Sequence, residues 1–388
     1  MKKSVFLSMI LLSLIYQCRL NGQNRGFIKT DGTKFVDGSG DEYIFKGMGF
    51  WGGNGATAPN NYREADYANM ADIGFNSIRL YLSANFFENA SARPVTYREE
   101  TWEWLDQRIA WAKKYDLTLV LNFHFTPGAS GISDRGLFAA MDRQDRLVAL
   151  WKEIARRYAD EPVISAYDIV NEPTADIVEG DNAANQYAQT FRLWENLSNR
   201  IVKAIREVDA NHLIIVERLW IGSLTYPNDQ QDRWQDLNGK FNFPDIDDPA
   251  GNYAYTYHCY EPGRYVHQTA GRKTDGTDRV YPSDAIAKHE GNRLMNRAFV
   301  EYVYTIPLNY IRDVKKVPAY IGEFGIHIDN FKENSAGVNR GGRQWVLDVM
   351  DVMNKYGLSF NYHPYYESEI RPVVYPDFEA VLRETLAR

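Results

Sequence analysis

Short apolar segments alternate with longer amphipathic ones along most of this chain. Eight segments have the length of buried strands and are rich in β-branched and aromatic residues, at positions 43–50, 75–82, 117–125, 163–170, 212–219, 253–260, 317–322 and 358–365. Helical periodicity marks residues 62–73, 101–115, 143–158, 185–208, 296–314, 343–356 and 376–387. This alternation predicts an α/β fold with a parallel sheet, and eight repeats close most simply into a (β/α)8 TIM barrel.

Three further segments modify this plan. Residues 27–42 contain two turn signals, Asp-Gly and Gly-Ser-Gly, and predict an N-terminal hairpin that plugs the barrel floor. The polar stretches 222–252 and 263–292 predict two long loop insertions, of which the first has at most a short helix. Because no linker or low-complexity tract interrupts the pattern, we expect a single domain over residues 24–388.

The N-terminus has the pattern of an export signal. Two lysines precede an apolar run at residues 5–16, which is too short to span a membrane and typical of a secretory signal, so residues 1–23 are predicted to be removed. The Gln before Cys18 is a poor match to a lipoprotein cleavage site, and cleavage near residues 21–23 is the favoured alternative. Cys259 is then the only cysteine of the mature chain, which excludes an intramolecular disulfide. We expect a periplasmic or extracellular protein, with a lipid-anchored form as the less favoured alternative.

Composition narrows the class of ligand. The chain has 44 Lys and Arg against 51 Asp and Glu, a net charge of −7, and no basic run, which argues against a nucleic-acid or anionic-membrane partner. Its 9 Trp, 26 Tyr and 19 Phe provide flat apolar faces with polar edges that suit sugar rings, although many of them belong to the core. We therefore expect a neutral ligand, no nucleic-acid partner and no membrane span, and we expect the protein to be a monomer.

Polar side chains collect at the carboxyl ends of the predicted strands, where a barrel forms its active site. Glu172 follows the fourth strand in Asn-Glu-Pro, and Glu323 ends the seventh in Gly-Glu-Phe-Gly. Two carboxylates that face one cleft can divide the acid and nucleophile roles of glycosidic bond cleavage. Five other strand-end residues are predicted to support them, namely Arg79, His124, Asn171, His258 and Tyr260. Each alone is more often a structural hydrogen-bonder, and the combination carries the signal.

On these motifs the chain resembles glycoside hydrolase family 5, the cellulase-like retaining β-glycosidases among the clan A barrels. The resemblance covers essentially everything after the signal. It implies that Glu172 is the acid/base and Glu323 the nucleophile of a double displacement. Arg79 and Tyr260 would hold Glu323, and Asn171 would bind the sugar 2-hydroxyl. The two histidines, His124 and His258, would keep the sugar and the acid in register.

The predicted eighth strand departs from the family pattern. Members usually end this strand with a Trp beneath the reacting sugar, whereas residues 359–368 contain none, and Tyr362 or His363 is expected to take its place. Trp51 and Trp220 follow the first and fifth strands, where each either stacks on a sugar or covers the barrel mouth. His124, His258, His327 and His363 lack the spacing of metal ligands, so neither a metal nor a cofactor is expected.

The leading hypothesis is a secreted retaining β-glycoside hydrolase that cleaves β-linked glucan, as an endo-β-1,4-glucanase. Mannanase, xyloglucanase and exo-glucosidase specificities fit the same residues, and the insertion at 263–292 would favour short substrates if it walls one end of the cleft. From other classes, a non-catalytic carbohydrate-binding barrel is supported only by the missing Trp. A metal-dependent hydrolase would need His and Asp clusters that the strand ends lack.

Overall fold

The structure is a computed structural model that describes residues 25–50, 62–89, 91–92, 94–129, 135–175, 183–221, 242–268, 278–287, 293–363 and 376–388. The predicted export signal, the cysteine within it and Trp51 lie outside these residues. Within the described ranges, no helix combines the length and the apolar character that a bilayer-spanning segment requires.

Eight parallel strands form a closed barrel. They are β1 (Lys46–Phe50), β2 (Ser77–Ser83), β3 (Thr118–Phe125), β4 (Ile164–Asp168), β5 (Leu213–Glu217), β6 (Tyr253–His258), β7 (Ala319–Phe324) and β8 (Ser359–Tyr362). Each strand pairs with the next along the chain, and β8 pairs with β1 to close the sheet. The predicted (β/α)8 barrel is confirmed.

Helices cover the outside of the barrel. They are α1 (Glu64–Ile73), α2 (Glu99–Lys114), α3 (Met141–Tyr158), α4 (Ala183–Arg206), α5 (Arg297–Tyr310), α6 (Gly342–Tyr356) and α7 (Pro376–Leu386). Helix α3 shows why they form, because Leu147, Leu150, Trp151 and Ile154 recur at helical spacing and are all buried. The Trp151 ring meets the Phe123 ring of β3 at 4.8 Å between centroids, so the apolar stripe of the helix packs on the outer face of the barrel.

A hairpin closes the barrel floor, as the sequence predicts. Its strands, Lys29–Asp31 and Lys34–Val36, pair in antiparallel register. The flanking Ile28 and the hairpin residue Phe35 are buried in one cluster with inward-facing barrel residues such as Val120, Ile215 and Tyr320. The floor is therefore an apolar plug, and the polar interior lies above it, toward the carboxyl ends of the strands.

The two insertions differ from each other. The described part of the first, residues 242–252, contains no helix or strand, as expected for a loop. The second is more structured than the loop that was predicted. It contains a short helix, Gly263–Val266, and a strand, Ser283–Ala287, that pairs antiparallel with Arg293–Met295. Turn-forming residues dominate the composition of this insertion and conceal the short alternating segment that forms the strand pair.

Candidate active site

One arginine organises the carboxyl-terminal mouth of the barrel. Arg79 of β2 is fully buried, and its three nitrogens donate to three acceptors on other elements. Nε bonds Asp168 Oδ2 at 2.8 Å, Nη1 bonds Glu323 Oε1 at 2.8 Å, and Nη2 bonds Asn171 Oδ1 at 3.0 Å. A buried charge requires such pairing, so the guanidinium fixes the ends of β2, β4 and β7 relative to one another.

Glu323 lies on β7 and is surrounded by hydrogen-bond donors from other strands. Besides Arg79, the Tyr260 hydroxyl donates to Glu323 Oε2 at 2.7 Å, and His258 Nδ1 is 3.5 Å from the same oxygen. Burial alone would raise the pKa of this carboxyl, but the nearby basic side chains, His258, His363 and Arg79 foremost, hold it well below the ordinary value of a glutamate. Glu323 is therefore ionised over the whole physiological pH range.

Glu172 has a different environment, just beyond the end of β4. Its backbone adopts the left-handed conformation, with φ of 42°, which residues other than glycine rarely adopt. In this conformation its N–H donates to Glu217 Oε2 at 2.7 Å, while its side-chain Oε1 lies 3.0 Å from His258 Nδ1. The side chain is more exposed than that of Glu323, 14% against 5%. Glu172 thus reaches into the open part of the cleft.

The two glutamates lie close enough to act on one bond. One oxygen of each, together with a nitrogen of His258, lies within 4.8 Å of the other two. These three atoms could hold a metal ion, and they form the candidate metal site among the described residues. However, Arg79 and Tyr260 already donate to the Glu323 oxygens, and a cation there would have to displace them. This donor set is better suited to sharing protons than to holding a metal.

A stack of polar aromatic rings lines the side of the cleft beside Glu323. The rings of Tyr81 and His124 stack at 4.4 Å between centroids, and the Tyr81 hydroxyl lies 2.6 Å from His363 Nδ1. That nitrogen is 3.7 Å from Glu323 Oε1. Burial is the main reason that the pKa of His363 falls to about 4, and it also lowers the pKa of His124. Both imidazoles are therefore neutral at neutral pH.

Two predicted site residues lie at the end of β8, and only one of them faces the cleft. His363, as described, reaches the cleft. Tyr362 does not, because successive side chains of a strand point to opposite faces and this one faces the helices. Only 2% of Tyr362 is exposed, its ring contacts Phe324 and Phe378, and its hydroxyl donates to the Ile326 carbonyl. The prediction that Tyr362 contacts the sugar is wrong.

Trp220 lies beside the segment that carries Glu172. The short strand Trp220–Ile221 pairs in parallel with Thr174–Ala175, and the Trp220 N–H donates to the Pro173 carbonyl at 2.7 Å. About 37% of Trp220 is exposed. Its position is compatible with the predicted contact to a sugar, which stays a prediction, as does that of Trp51.

Sequence reasoning missed two carboxylates of this site. Asp168 is fully buried on β4 and accepts from Arg79, while Glu217 ends β5 with 2% exposure and accepts from the Glu172 backbone. Both follow apolar residues within a strand, the same signal that identifies Glu323. They were overlooked because each predicted strand continues beyond them, to residues 170 and 219.

Comparisons with known proteins agree with this geometry. The sequence model of Cellulase (glycosyl hydrolase family 5) matches residues 36–365, which include all eight barrel strands. Cellodextrinase A of Ruminococcus flavefaciens is 26% identical over 303 residues, which are 77% of this chain and 77% of that protein. Endoglucanase C of Acetivibrio thermocellus is 27% identical over 286 residues, covering 68% of this chain and 74% of the relative.

Solved structures share the fold. A structure of Cel5A from Thermotoga maritima in complex with cellobiose superimposes with a TM-score of 0.62 at 21% identity, covering 87% of this chain and 96% of that one. Another structure of the same protein, with mannotriose, gives 0.61 over 88% of this chain and 97% of that one, also at 21% identity. The extent of the family match, over a closed barrel of eight parallel strands, means that this chain belongs to glycosyl hydrolase family 5, the cellulase family, and is a glycoside hydrolase.

Proposed function

We propose that this enzyme cleaves β-1,4-linked glucan internally, by a double displacement in which Glu323 is the nucleophile and Glu172 the acid/base. The main support is the contrast between two carboxylates whose closest oxygens lie within 4.8 Å. Arg79 and Tyr260 both donate to Glu323, whereas the Glu172 side chain faces the cleft beside His258. An ionised carboxylate beside one that can exchange a proton is the pair that this reaction needs.

The short separation favours retention of anomeric configuration. Retaining enzymes hold their carboxyl groups about 5–5.5 Å apart, whereas inverting enzymes need about 6.5–9.5 Å to admit a water between the base and the sugar. The closest oxygens of Glu172 and Glu323 lie within 4.8 Å of each other, which supports the retaining arrangement. In the proposed reaction the nucleophile bonds the anomeric carbon directly, and water enters only in the second step.

In the first step, Glu323 attacks the anomeric carbon as the bond to the leaving oxygen breaks. Glu172 passes its proton to that oxygen, so the leaving chain departs as a neutral alcohol. The Asn171 side chain accepts from Arg79 through Oδ1, which directs its amide nitrogen as a donor toward the sugar 2-hydroxyl. A hydrogen bond to this hydroxyl strengthens as the oxocarbenium-like transition state forms.

In the second step, Glu172 is a carboxylate and takes a proton from water. The water oxygen bonds the anomeric carbon as the bond to Glu323 breaks, which restores both residues to their starting states. His258 is 3.0 Å from Glu172 and 3.5 Å from Glu323, so it remains in contact with both carboxylates through the cycle.

The choice of glucan and of internal cleavage rests on the relatives and on one exposed ring. Endoglucanase C and Cellodextrinase A are named for glucan substrates, and each matches more than two thirds of this chain. Trp220 is exposed beside the segment of Glu172, where its ring can stack on the sugar that leaves.

A product-resolved screen tests this function. The purified protein is incubated with β-1,4-glucan, mannan, xyloglucan and cello-oligosaccharides, with Glu323→Ala as the control. We expect a ladder of cello-oligosaccharides whose new reducing ends are initially β by proton NMR, and no products with the variant. Products from mannan or xyloglucan alone, or glucose or cellobiose alone from the start, would change the substrate or mode of action. Initial α-anomers would contradict retention, and binding without turnover would favour a carbohydrate-binding barrel.

We also propose that the protein is exported, because two lysines and an apolar run at residues 5–16 form the pattern of a secretory signal. Expression of the full chain in a bacterial host, followed by the intact mass of the protein outside the cytoplasm, measures this. A mass that corresponds to a start near residues 22–24 is expected. An uncleaved cytoplasmic product would contradict export, and a start at Cys18 with added lipid mass would indicate anchoring.

A further inference from the structure

Glu217 places a third carboxylate against the predicted acid/base. Its side chain is 2% exposed at the end of β5, and Oε2 both accepts from the Glu172 N–H at 2.7 Å and lies 3.4 Å from His258 Nε2. The charged and titratable groups that act on it are His258 from β6, Glu172 beyond β4 and Asp168 of β4. On the helix side, Trp194 of α4 donates to the Glu217 carbonyl at 2.9 Å. The residue is thus tied to both the backbone and the imidazole that border Glu172.

The backbone contact bears on the conformation of Glu172. A left-handed conformation is unfavourable for a residue with a side chain and persists only where surrounding contacts enforce it. In this conformation the Glu172 N–H donates a hydrogen bond to the Glu217 carboxylate. Glu217 thereby stabilises the conformation that directs the Glu172 carboxyl into the cleft.

The imidazole contact bears on the proton. His258 has Nδ1 beside Glu172 and Glu323, and it has Nε2 beside Glu217. Nε2 is buried and has no hydrogen bond to a described residue, and the Glu217 carboxylate at 3.4 Å is the anionic group beside it. Burial lowers the pKa of His258, but the charges of Glu217, Glu323 and Glu172 outweigh it and raise that pKa to about 9. Burial raises the pKa of Glu217 and the charge of His258 opposes that rise, so the two groups titrate together as one buried pair.

We propose that Glu217 is a positioning residue for the acid/base, which holds Glu172 in its left-handed conformation and, through His258, keeps a proton available to it. The inference deepens the proposed function and rests on Glu172 being the acid. A proton on His258 Nδ1 moves to Glu172 Oε1, which leaves a neutral imidazole with its remaining proton on Nε2, facing Glu217. Glu172 then passes the proton to the leaving oxygen. In the second step Glu172 takes one proton from water and returns it to His258 Nδ1, which restores the starting state of both groups.

The variant Glu217→Gln separates the two contributions. The amide keeps an oxygen that accepts the Glu172 N–H but removes the negative charge. Removing that charge lowers the pKa of His258, which supplies the proton to Glu172, so the alkaline limb of kcat/KM on β-glucan should move down by about one pH unit. Below the limb, at acid pH, the rate should stay within about threefold of the original, since the variant keeps the hydrogen bond.

An activated aryl glycoside provides the contrasting substrate. A dinitrophenolate leaves without a proton, so on this substrate Glu217→Gln should not move the alkaline limb. Glu217→Asp keeps the charge but shortens the side chain, so the alkaline limb should stay in place while the rate falls, because the carboxylate no longer reaches the Glu172 N–H. Glu207→Gln is the matched control, since Glu207 is an exposed carboxylate paired with Lys152 on the helix surface, and its profile should not change.

The same measurements distinguish this inference from the function on which it rests. If Glu172→Ala loses equal activity on both substrates, Glu172 is not the acid and the proposed function fails. If Glu172→Ala behaves as an acid variant while Glu217→Gln, with an unchanged melting temperature, leaves the glucan limb in place, only the role of Glu217 is overturned. Equal shifts of the limb on both substrates would also overturn it, because they would place the effect on a group other than the acid.

Discussion

Glu323 and Glu172 lie at the ends of two strands and face the same cleft, yet their surroundings differ. Glu323 is almost fully buried, accepts hydrogen bonds from Arg79 and Tyr260, and has a pKa far below that of a free glutamate because nearby basic groups outweigh its burial. Glu172 is more open, and its side-chain Oε1 lies 3.0 Å from Nδ1 of the His258 imidazole. One carboxylate is held in its charged form, and the other faces the open cleft beside an imidazole.

The difference does not come from local sequence. Each glutamate follows an apolar strand and precedes a Pro or a Phe-Gly break. Their partners come from distant parts of the chain, since Arg79 is 244 positions from Glu323 and His258 is 86 positions from Glu172. The closure of the barrel brings these partners together, and β6 and β7 pair so that His258 and Glu323 are direct neighbours. The different surroundings of the two glutamates are therefore a property of the closed sheet.

Removing the proposed nucleophile should have the largest effect. Glu323→Ala should reduce kcat by at least about 10⁴-fold on every substrate, activated or not, because the proposed reaction forms its covalent bond through this carboxylate. Addition of azide with the aryl glycoside should restore turnover and give the α-linked azide, since a small anion fits the vacated position.

The buried charge of Arg79 complicates this variant. Loss of one partner of a buried ion pair costs about 3–5 kcal/mol of folding free energy, although Asp168 still pairs with the guanidinium. Glu323→Gln keeps the shape and serves as the control, with circular dichroism and the melting temperature measured for both. Normal turnover in a folded Glu323→Gln protein would contradict the assignment.

Removing the proposed acid/base should have a smaller effect that depends on the leaving group. Glu172→Ala should lower kcat/KM on β-glucan by about 10²–10⁴-fold, the usual contribution of a general acid. On a dinitrophenyl glycoside the first step should be nearly unaffected, and the glycosyl-enzyme should accumulate because its hydrolysis lacks a base. A burst in stopped-flow absorbance would measure this accumulation, whereas equal losses on both substrates would contradict the acid role.

The barrel and the polar residues at its mouth can be predicted from sequence, because apolar periodicity defines the strands and a barrel brings strand ends together. Arg79, Asn171, His258 and Tyr260 lie at the mouth, where that rule expects polar residues from the strand ends. Glu217 was not found because its strand was extended past it, to residue 219. The sequence likewise does not decide whether Tyr362 or His363 faces the cleft, because they are neighbours and alternate side chains of a strand face opposite sides.

The left-handed φ of Glu172 and the strand pair in the second insertion cannot be predicted from local sequence patterns. Both depend on contacts between segments that are far apart in sequence or that lack a strong periodic pattern. The N–H of Glu172 meets Glu217, 45 positions later, only once β4 and β5 are paired. Local patterns carry no record of such a contact.

Weakening one donor to Glu323 should make the two carboxylates slightly more alike. Tyr260→Phe removes the 2.7 Å hydrogen bond to the charged form, so the pKa of Glu323 should rise. Since Glu323 must be ionised to attack, the acid limb of kcat/KM should move to higher pH by about one unit. The rate above the limb should fall by about tenfold, as expected for loss of one charged hydrogen bond. A limb that stays in place would mean that Arg79 and the histidines alone set this pKa.

Removal of metal ions should leave the activity unchanged. The opposite result would mean that Glu172 and Glu323 do not have different roles. A divalent ion bound by Glu172, His258 and Glu323 would make both carboxylates ligands of one centre, with no division into acid and nucleophile. Such an ion would have to displace the hydrogen bonds that Arg79 and Tyr260 donate to Glu323. Activity on β-glucan should therefore be unchanged after dialysis against EDTA. Loss of activity that one particular ion restores, with the melting temperature unchanged, would instead assign the three residues to a metal centre.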